Sequence, residues 1–409
     1  MAAQDRVHSL DAVRAFALLL GVAFHACMSF VPGMLPGIWV TVDKTPSVAL
    51  GQLFFIAHIF RMSLFFVMAG YFARLLYMRS GLRGFWVNRL KRIAVPMIVG
   101  WCVIFPIFVV VETWGVREVF GGHMPPAAAR PKMPPGFFPF MHFWFLYALL
   151  LLYPTVLGLR RAFLWIDRGN ALRALVDRVS RVIVATPAAI ILAPAILGAP
   201  LALTLYLRKA WIYWGGIPAQ DVTYIPQLTV MVGFGTAMIV GWLLHRRADL
   251  LQSLEKRWVG HCVVALGATL YCCCVAGTKM VFVPEPMDAA KAFFALSYVV
   301  ALWSWVLGIV GVSLRFLSGE NRIIRYVADS SYWIYIVHLP VVATLDIVVR
   351  SWPVHWALKY GFVVSVSFGV LFASYHYLVR PSFIGKWLNG RKYPRHAAPT
   401  LPLPGMRMA

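Results

Sequence analysis

Long apolar segments alternate along the chain with shorter polar segments that hold most of the arginine and lysine residues. An α-helix needs about 20 mainly apolar residues to cross the roughly 30 Å hydrocarbon core of a bilayer. Ten segments meet this requirement: 13–33, 50–76, 93–113, 141–159, 183–206, 224–244, 259–283, 290–313, 327–349 and 357–379. The pattern predicts an all-α, polytopic membrane protein with about ten transmembrane helices.

The amino-acid composition indicates the same class. Of 409 residues, 61% are hydrophobic and 13% are Asp, Glu, Lys or Arg, whereas a soluble domain contains about 25% charged residues. This excludes a soluble globular enzyme, a disordered chain and a disulfide-stabilised secreted domain. The six cysteines lie in apolar segments without a CxxC or Cys/His pattern, so we predict neither a metal site nor disulfide bonds.

The basic residues predict how the chain is oriented. Lys and Arg number 38 against 15 Asp and Glu, which gives a formal charge of +23. In a membrane protein such an excess marks cytoplasmic loops and contact with anionic lipid rather than nucleic acid. The basic residues concentrate in alternate loops if the N-terminus is cytoplasmic, and an even number of spans then places both termini there. We predict the lipid bilayer as a partner and no nucleic acid.

No repeat, low-complexity block or appended soluble domain interrupts this pattern, so we predict a single membrane domain over 1–409. Its core covers about 8–385, and a short basic cytoplasmic tail follows over 386–409. The longest predicted external loop, 114–139, is rich in Pro and Gly and is expected to be either a flexible lid or a structureless connector.

Ionisable residues inside apolar segments are costly and are candidates for function. Arg14 and His25 are 11 residues apart, which on an α-helix is three turns plus about 20°, so they share one face about 16 Å apart. This would place Arg14 near the cytoplasmic surface and His25 near mid-membrane, where an imidazole is suited to deprotonating a hydroxyl. The alternative is a positive-inside anchor at Arg14 and an inter-helix hydrogen bond from His25.

His58 and Arg61 lie three residues apart on one face of the second segment. Arg61 is too deep for its side chain to reach the surface easily, so it needs a partner or a wet cavity. Its alternative role is a salt bridge between helices. Gly70 follows, a small residue that permits close approach of a helix or a ligand.

A third group, Arg89, Lys91 and Arg92, precedes the third segment at its predicted cytoplasmic end. Guanidinium groups bind phosphates through several directed hydrogen bonds, so a phosphate-bearing ligand fits this group. An ordinary positive-inside cluster would have the same charges.

Two later segments combine histidine with aromatic residues. His142 begins the run HFWFL, and His338 precedes Pro340 in the ninth segment. His338 lies roughly 16 Å from the start of that segment, a depth comparable to that of His25. Pro340 is expected to free backbone carbonyls for polar partners. A packed structural histidine is the alternative for His338.

Five motifs in order resemble the acyltransferase-3 family of membrane O-acyltransferases. They are Leu10–Arg14 followed by His25, Phe60–Phe72, Arg89–Pro96, His142–Leu146 and Tyr335–Pro340. The resemblance covers about 8–385, and it is strongest to the branch associated with succinylation of osmoregulated periplasmic glucans.

The resemblance implies an integral enzyme of a bacterial inner membrane that moves an acyl group from cytoplasmic acyl-CoA to a hydroxyl of an extracytoplasmic glucan or other glycan. Succinyl-CoA is the favoured donor, acyl-CoA is a co-substrate, and no metal is implied. The residues expected to be catalytic are His25, Arg61 and His338; those expected to bind acyl-CoA are Arg14, Arg89 and Arg92; those expected to orient these groups or contact the acceptor are Asp11, His58, His142, Trp144 and Tyr335. His25 is expected to act either as general base or as acyl carrier.

A transporter or flippase is the alternative from another class. It would use the same buried histidine and arginine side chains as a proton or substrate relay. The sequence has no inverted-repeat signal and no matching pair of broken helices, which favours the acyltransferase.

Overall fold

The computed structural model of the chain describes residues 8–123, 134–186 and 188–389, although the side chains of 183–185 and 389 are left out. Within this part the chain is helical, with no strand longer than an isolated bridge. The α-helices are α1 (His8–Ala26), α2 (Val48–Arg89), α3 (Val95–Val119), α4 (Trp144–Ile166), α5 (Ala171–Ala185), α6 (Ala189–Leu207), α7 (Leu228–Arg246), α8 (Ala248–Ala276), α9 (Ala289–Phe316), α10 (Arg322–Val349), α11 (Trp356–Ser374) and α12 (Phe383–Asn389).

In the described part of the chain, nine helical stretches are long and apolar enough to cross a membrane. One of them runs from Val48 to Val119 and is 72 residues long. A straight helix of this length would be about 108 Å long, which is too much for one crossing. It contains two of the predicted segments, and its helix changes direction between them at Gly81, where φ is +65°. The predicted all-α, polytopic membrane architecture is confirmed.

Three predicted boundaries are wrong. The segment 13–33 is helical only to Ala26 and continues as a short 3-10 turn. The segment 183–206 is divided between two helices, because α5 ends at Ala185 and α6 begins at Ala189. The segment 259–283 is helical only to Ala276, since the next residue, Gly277, has a φ of +76° that ends the helix.

The predicted loop 114–139 is shorter than expected because α3 extends to Val119. Its centre, 124–133, lies outside the described residues, as does 390–409 of the predicted tail. Its last part is ordered. The backbone N–H groups of Phe138 and Phe140 donate to carbonyl oxygens of Val222 and Asp221 at 3.1 and 2.8 Å.

Helix packing positions the part of α2 that carries Arg61. The helix α1 packs along α10, α2 packs along α7, and α9 packs along both α6 and α8. The crossing of α2 and α7 is close because glycines face each backbone: an added Cβ at Gly70 would collide with the carbonyl of Met238, and one at Gly241 with that of Val67. This crossing fixes the part of α2 that holds Arg61.

A buried ion pair fixes the segment between α1 and α2. The Lys359 ammonium group lies 2.9 Å from the Asp43 carboxylate, and each side chain is 1% exposed. Arg350 also donates to the carbonyl of Val42 at 3.0 Å. Breaking a buried pair leaves an uncompensated charge and costs about 3–5 kcal/mol, so this segment, which includes Trp39, is held firmly against α10 and α11.

Candidate active site

A single cavity of about 1340 Å³ collects the candidate residues. Its lining includes three arginines, Arg14, Arg89 and Arg92, which we call the basic end, and two carboxyl residues, Glu112 and Asp221, which we call the acidic end. The predicted site residues that line the cavity are Arg14, His25, His58, Arg61, Arg89, Arg92, His142, Trp144, Tyr335 and His338; Asp11 does not.

His25 and His338 face each other across the cavity, with His338 Nε2 3.2 Å from His25 Nδ1. His338 Nδ1 is 2.8 Å from the carbonyl of Tyr335, and His25 Nδ1 is 2.9 Å from the carbonyl of Gly21. Because a carbonyl oxygen only accepts, both Nδ1 atoms carry the hydrogen in the neutral rings. The lone pair of His338 Nε2 therefore faces the Nδ1–H of His25, and Nε2 of His25 is the unprotonated nitrogen.

This arrangement bears on the structural alternatives for both histidines, which were a hydrogen-bonding role for His25 and a packing role for His338. The hydrogen bond that His25 makes within α1 leaves its second nitrogen free to act on a ligand in the cavity. His338 is packed and 4% exposed, as the structural alternative expects, but its partner is the candidate base itself.

Arg61 lies beside this pair. Its guanidinium carbon is 3.7 Å from the centre of the Phe24 ring, and Nη1 donates to the carbonyl of Gly21 at 3.5 Å. Its Nε has no hydrogen-bond partner, although Arg61 is only 7% exposed. The inter-helix salt bridge offered as an alternative is absent from the described residues, where none of the ion pairs includes Arg61. A cation in this position is suited to an anionic or partly anionic ligand group.

Sequence reasoning missed Trp39 and Asp346. The Trp39 ring stacks on His25 with 5.9 Å between ring centres, and its Nε1 donates to the carboxylate of Asp346 at 2.8 Å. Asp346 is 1% exposed and its other oxygen has no hydrogen-bond partner. The signal was present, because Asp346 is an acidic residue inside a predicted membrane segment.

His142 and Tyr335 form a support around the histidine pair. Tyr335 donates to the backbone carbonyl of His142 at 2.6 Å, and His142 Nε2 donates to the carbonyl of Ile336 at 3.0 Å. The His142 ring is nearly perpendicular to that of His338, 5.3 Å between centres. These contacts fix the start of α4 to α10 and orient His338.

His58 and Trp144 line the cavity without such support. The Nδ1 atom of His58 has no hydrogen-bond partner, and its ring packs edge-on against Phe54. Trp144 packs against Phe234 with 5.6 Å between ring centres. Both are placed to contact a ligand.

The basic end is held by contacts from four helices, α1, α2, α4 and α10. Arg14 lies 3.4 Å from Asp11 and donates to the carbonyl of Ala328 at 3.3 Å. The Arg89 guanidinium lies over the Phe85 and Tyr153 rings, 5.4 and 5.2 Å from their centres. Arg14 and His25 both line the cavity, as the helical spacing predicted. Asp11 does not line the cavity and forms an ion pair with Arg14.

Arg92 reaches the same end of the cavity from the π-helical turn Leu90–Ala94 between α2 and α3. Its backbone carbonyl accepts a hydrogen bond from Tyr332 of α10. The turn places Arg92 on the cavity side, whereas Lys91 is not among the lining residues.

Two chain segments hold Asp221 of the acidic end, and one was predicted mostly as part of the loop 114–139 and the other partly as the start of the span 224–244, although α7 begins only at Leu228. They are 134–140 and 220–227, which we call the clasp. Besides the bonds of Phe138 and Phe140, Tyr224 N–H donates to the carbonyl of Gly136 at 3.0 Å, and Tyr147 donates to the carbonyl of Tyr224 at 2.6 Å. Asp221 thus lies on an ordered segment outside the membrane spans, and burial raises the pKa of its carboxyl group.

Comparison with known proteins identifies the family of the chain. A family model described as an acyltransferase domain matches residues 7–376. The proteins named glucans biosynthesis protein C of Salmonella paratyphi B, Salmonella heidelberg and Salmonella agona are each 29% identical over 164 residues. That match covers 40% of this chain and 40% of each relative. No solved structure matches the chain. Because the family model spans most of its length, the chain belongs to the acyltransferase-3 family of membrane acyltransferases.

Proposed function

We propose that the protein transfers an acyl group from acyl-CoA on the cytoplasmic side to a hydroxyl group of a glycan on the opposite side of the membrane. The observation that carries this proposal is that one cavity is lined by the three arginines of the basic end, by the His25–His338 pair and by the two carboxyl residues of the acidic end. Such a cavity allows two substrates to enter from opposite faces and meet at one base.

The chemical step uses the unprotonated Nε2 of His25. This nitrogen takes the proton of the acceptor hydroxyl, whose oxygen attacks the thioester carbonyl and forms the new C–O bond. The tetrahedral intermediate then collapses, the C–S bond breaks, and the CoA sulfur receives the proton from the His25 imidazolium. The Nδ1–H of His25 stays hydrogen-bonded to Gly21 and faces the lone pair of His338, which favours the charged form of His25 as it develops.

Arg61 supplies charge for the same step. Its guanidinium has unused donor capacity beside His25, and in a cavity of low polarity such a donor stabilises an oxyanion more strongly than it would in water. The same group is able to bind the terminal carboxylate of a succinyl chain, which supports succinyl-CoA as the favoured donor.

The basic end supports acyl-CoA as the donor. Arg14, Arg89 and Arg92 line the cavity, and guanidinium groups bind phosphates through paired hydrogen bonds. The charge asymmetry of the loops favours a cytoplasmic position for this end, and the cytoplasm is where acyl-CoA is made. A glucan acceptor is supported by the names of the Salmonella relatives, and these relatives also support an inner-membrane location.

A strain that lacks the protein provides the test. If the donor is succinyl-CoA, each transfer adds a carboxylate that is ionised at pH 7, because its pKa is about 4. The periplasmic glucans of the deletion strain should therefore elute earlier from an anion exchanger, with unchanged backbone length.

Complementation identifies the chemistry. The wild-type gene should restore glucan charge, whereas His25→Gln should express normally and lower transfer by about 10²-fold or more, the scale of a lost general base. His261→Gln is the matched control, because His261 is buried but does not line the cavity. Lowered acetyl content with unchanged charge would reject succinyl, and altered export of a solute with unchanged glycan acylation would favour the transporter.

A further inference from the structure

The acidic end of the cavity is built largely from one face of α3. Phe105, Phe108, Glu112 and Val116 line the cavity at intervals of three and four residues, and Phe120 continues the row at the end of the helix. This spacing places the side chains on one stripe of the helix. Glu112 is 20 residues beyond Arg92, or about 30 Å along a helix, so the stripe leads away from the basic end.

The Glu112 carboxylate is available to a ligand. Within the described part of the chain, its side chain has neither a hydrogen bond nor an ion pair, and it is partly buried in the cavity wall. Glu118 of the same helix is different, because it is exposed, does not line the cavity, and accepts a hydrogen bond from Trp114 at 3.2 Å. The unused acceptor capacity therefore belongs to the cavity and not to the helix in general.

Asp221 adds a second carboxyl group from the clasp. Its backbone carbonyl accepts the Phe140 N–H at 2.8 Å, which holds the residue in place at the cavity wall. The adjoining wall is aromatic: Phe137 of the clasp lines it, and Phe105 is stacked on Trp101 with 4.7 Å between ring centres.

The carboxyl groups and aromatic rings of the acidic end favour a neutral ligand that has hydroxyl groups. A carboxylate accepts hydrogen bonds from hydroxyl groups and repels phosphates and other carboxylates. An aromatic ring packs against the C–H face of a sugar ring. Among the described residues, the arginines that line the cavity lie at the basic end or beside His25, so the acidic end lacks a charge that would attract a polyphosphate.

We propose that the acidic end is the acceptor subsite, in which Glu112 and Asp221 accept hydrogen bonds from the hydroxyl groups of a neutral glycan chain while the aromatic residues of α3 and the clasp pack against its sugar rings. This inference rests on the proposed function for its connection to catalysis. It adds that the two substrates are separated by charge, with the donor phosphates at one end and the acceptor hydroxyls at the other.

The test compares Glu112→Gln, Asp221→Asn and the matched control Glu118→Gln in purified protein. The probes are glucose oligosaccharides of two to eight units as acceptor and succinyl-CoA as donor. Glutamine and asparagine keep the shape and one acceptor oxygen but remove the carboxylate. We expect Glu112→Gln and Asp221→Asn each to raise the acceptor KM about tenfold or more, with the donor KM unchanged. Glu118→Gln should behave like the wild type.

A binding measurement without donor separates this inference from the proposed function. Saturation-transfer NMR on the wild type and on His25→Gln should detect the oligosaccharide in both proteins, and Glu112→Gln should weaken it by a similar factor. Binding with no acyl transfer in any condition would reject the proposed function and keep the subsite. Transfer with an acceptor KM that neither Glu112→Gln nor Asp221→Asn changes, or a change confined to the donor KM, would overturn the subsite.

Discussion

The imidazole of His25 is held on three sides by groups from different parts of the chain. Gly21 holds its Nδ1–H from within α1, His338 approaches the same nitrogen from α10, and the Trp39 ring covers one face. Asp346 in turn holds Trp39. A base restrained in this way directs its free nitrogen at a fixed point. Holding a catalytic group in a fixed orientation lowers the barrier to reaction.

Asp346 should therefore act through Trp39. In Asp346→Leu the Trp39 N–H loses its acceptor, and an unsatisfied buried donor costs about 1–3 kcal/mol. We expect kcat to fall about tenfold or more. Asp346→Asn keeps an oxygen that accepts the same hydrogen bond, so it should retain most of the activity. The check is kcat and thermal unfolding of both variants. Equal losses in the two variants would contradict the positioning role.

At this scale the sequence was informative about single residues and not about pairs. His25, Arg61 and His338 were singled out because an ionisable side chain inside an apolar helix is costly without a partner or a function. The contact of His25 with His338 joins residues 313 positions apart, which no local pattern records. Asp346 was missed although the same rule applies to it.

Among the helices, α2 and α7 have the closest backbone contact that bears on the site. Gly70 and Gly241 each occupy a position where a side chain would meet the backbone of the other helix. Gly70 was predicted to permit close approach of a helix or a ligand, and the structure shows that a helix takes this place. Arg61 lies on α2 nine residues before Gly70, so the crossing sets its position.

Alanine at either glycine should push the two helices apart. Overpacking of a tight contact costs about 1–3 kcal/mol, so Gly70→Ala and Gly241→Ala should each lower the unfolding temperature in detergent and reduce acyl transfer. Gly267→Ala is the matched control, because Gly267 lies in α8 where an added Cβ meets nothing within 4 Å. Alanine there should leave stability unchanged or raise it slightly. Equal melting temperatures for all three variants would show that the crossing tolerates a methyl group.

The apolar pattern predicted the helices more accurately than their ends. Hydrophobic length alone locates a span, but it does not record where the backbone turns. The break between Ala185 and Ala189 and the end of α8 before Gly277 depend on local backbone geometry within apolar sequence. The clasp was not predicted because its hydrogen bonds join two loops more than 80 residues apart.

For the whole molecule, the charge pattern of the loops and the charges that line the cavity are related. Arg89 and Arg92 of the basic end belong to the arginine-rich segment 74–92, whereas Asp221 of the acidic end belongs to the clasp. Transfer from a cytoplasmic donor to an acceptor on the opposite side of the membrane requires the basic end to face the cytoplasm. The orientation of the chain predicted from its charges is therefore a condition of the proposed function.

Cysteine labelling tests this orientation. His123 is exposed just beyond α3, and Gly169 is exposed between α4 and α5, where an added Cβ meets nothing within 4 Å. Gly136 is unsuitable, since its φ is +65° and a side chain would meet Ile225. Each single cysteine should be introduced after the six native cysteines are replaced, because Cys102 and Cys274 are exposed.

In spheroplasts, a membrane-impermeant maleimide should label His123→Cys, whereas Gly169→Cys should be labelled only after lysis. Labelling of both variants after lysis is the control for reactivity of the thiols. The reverse pattern would place the basic end outside the cytoplasm, where acyl-CoA is not available. Two-sided transfer from a cytoplasmic donor would then be impossible for this chain, even if His25 proved essential for acylation.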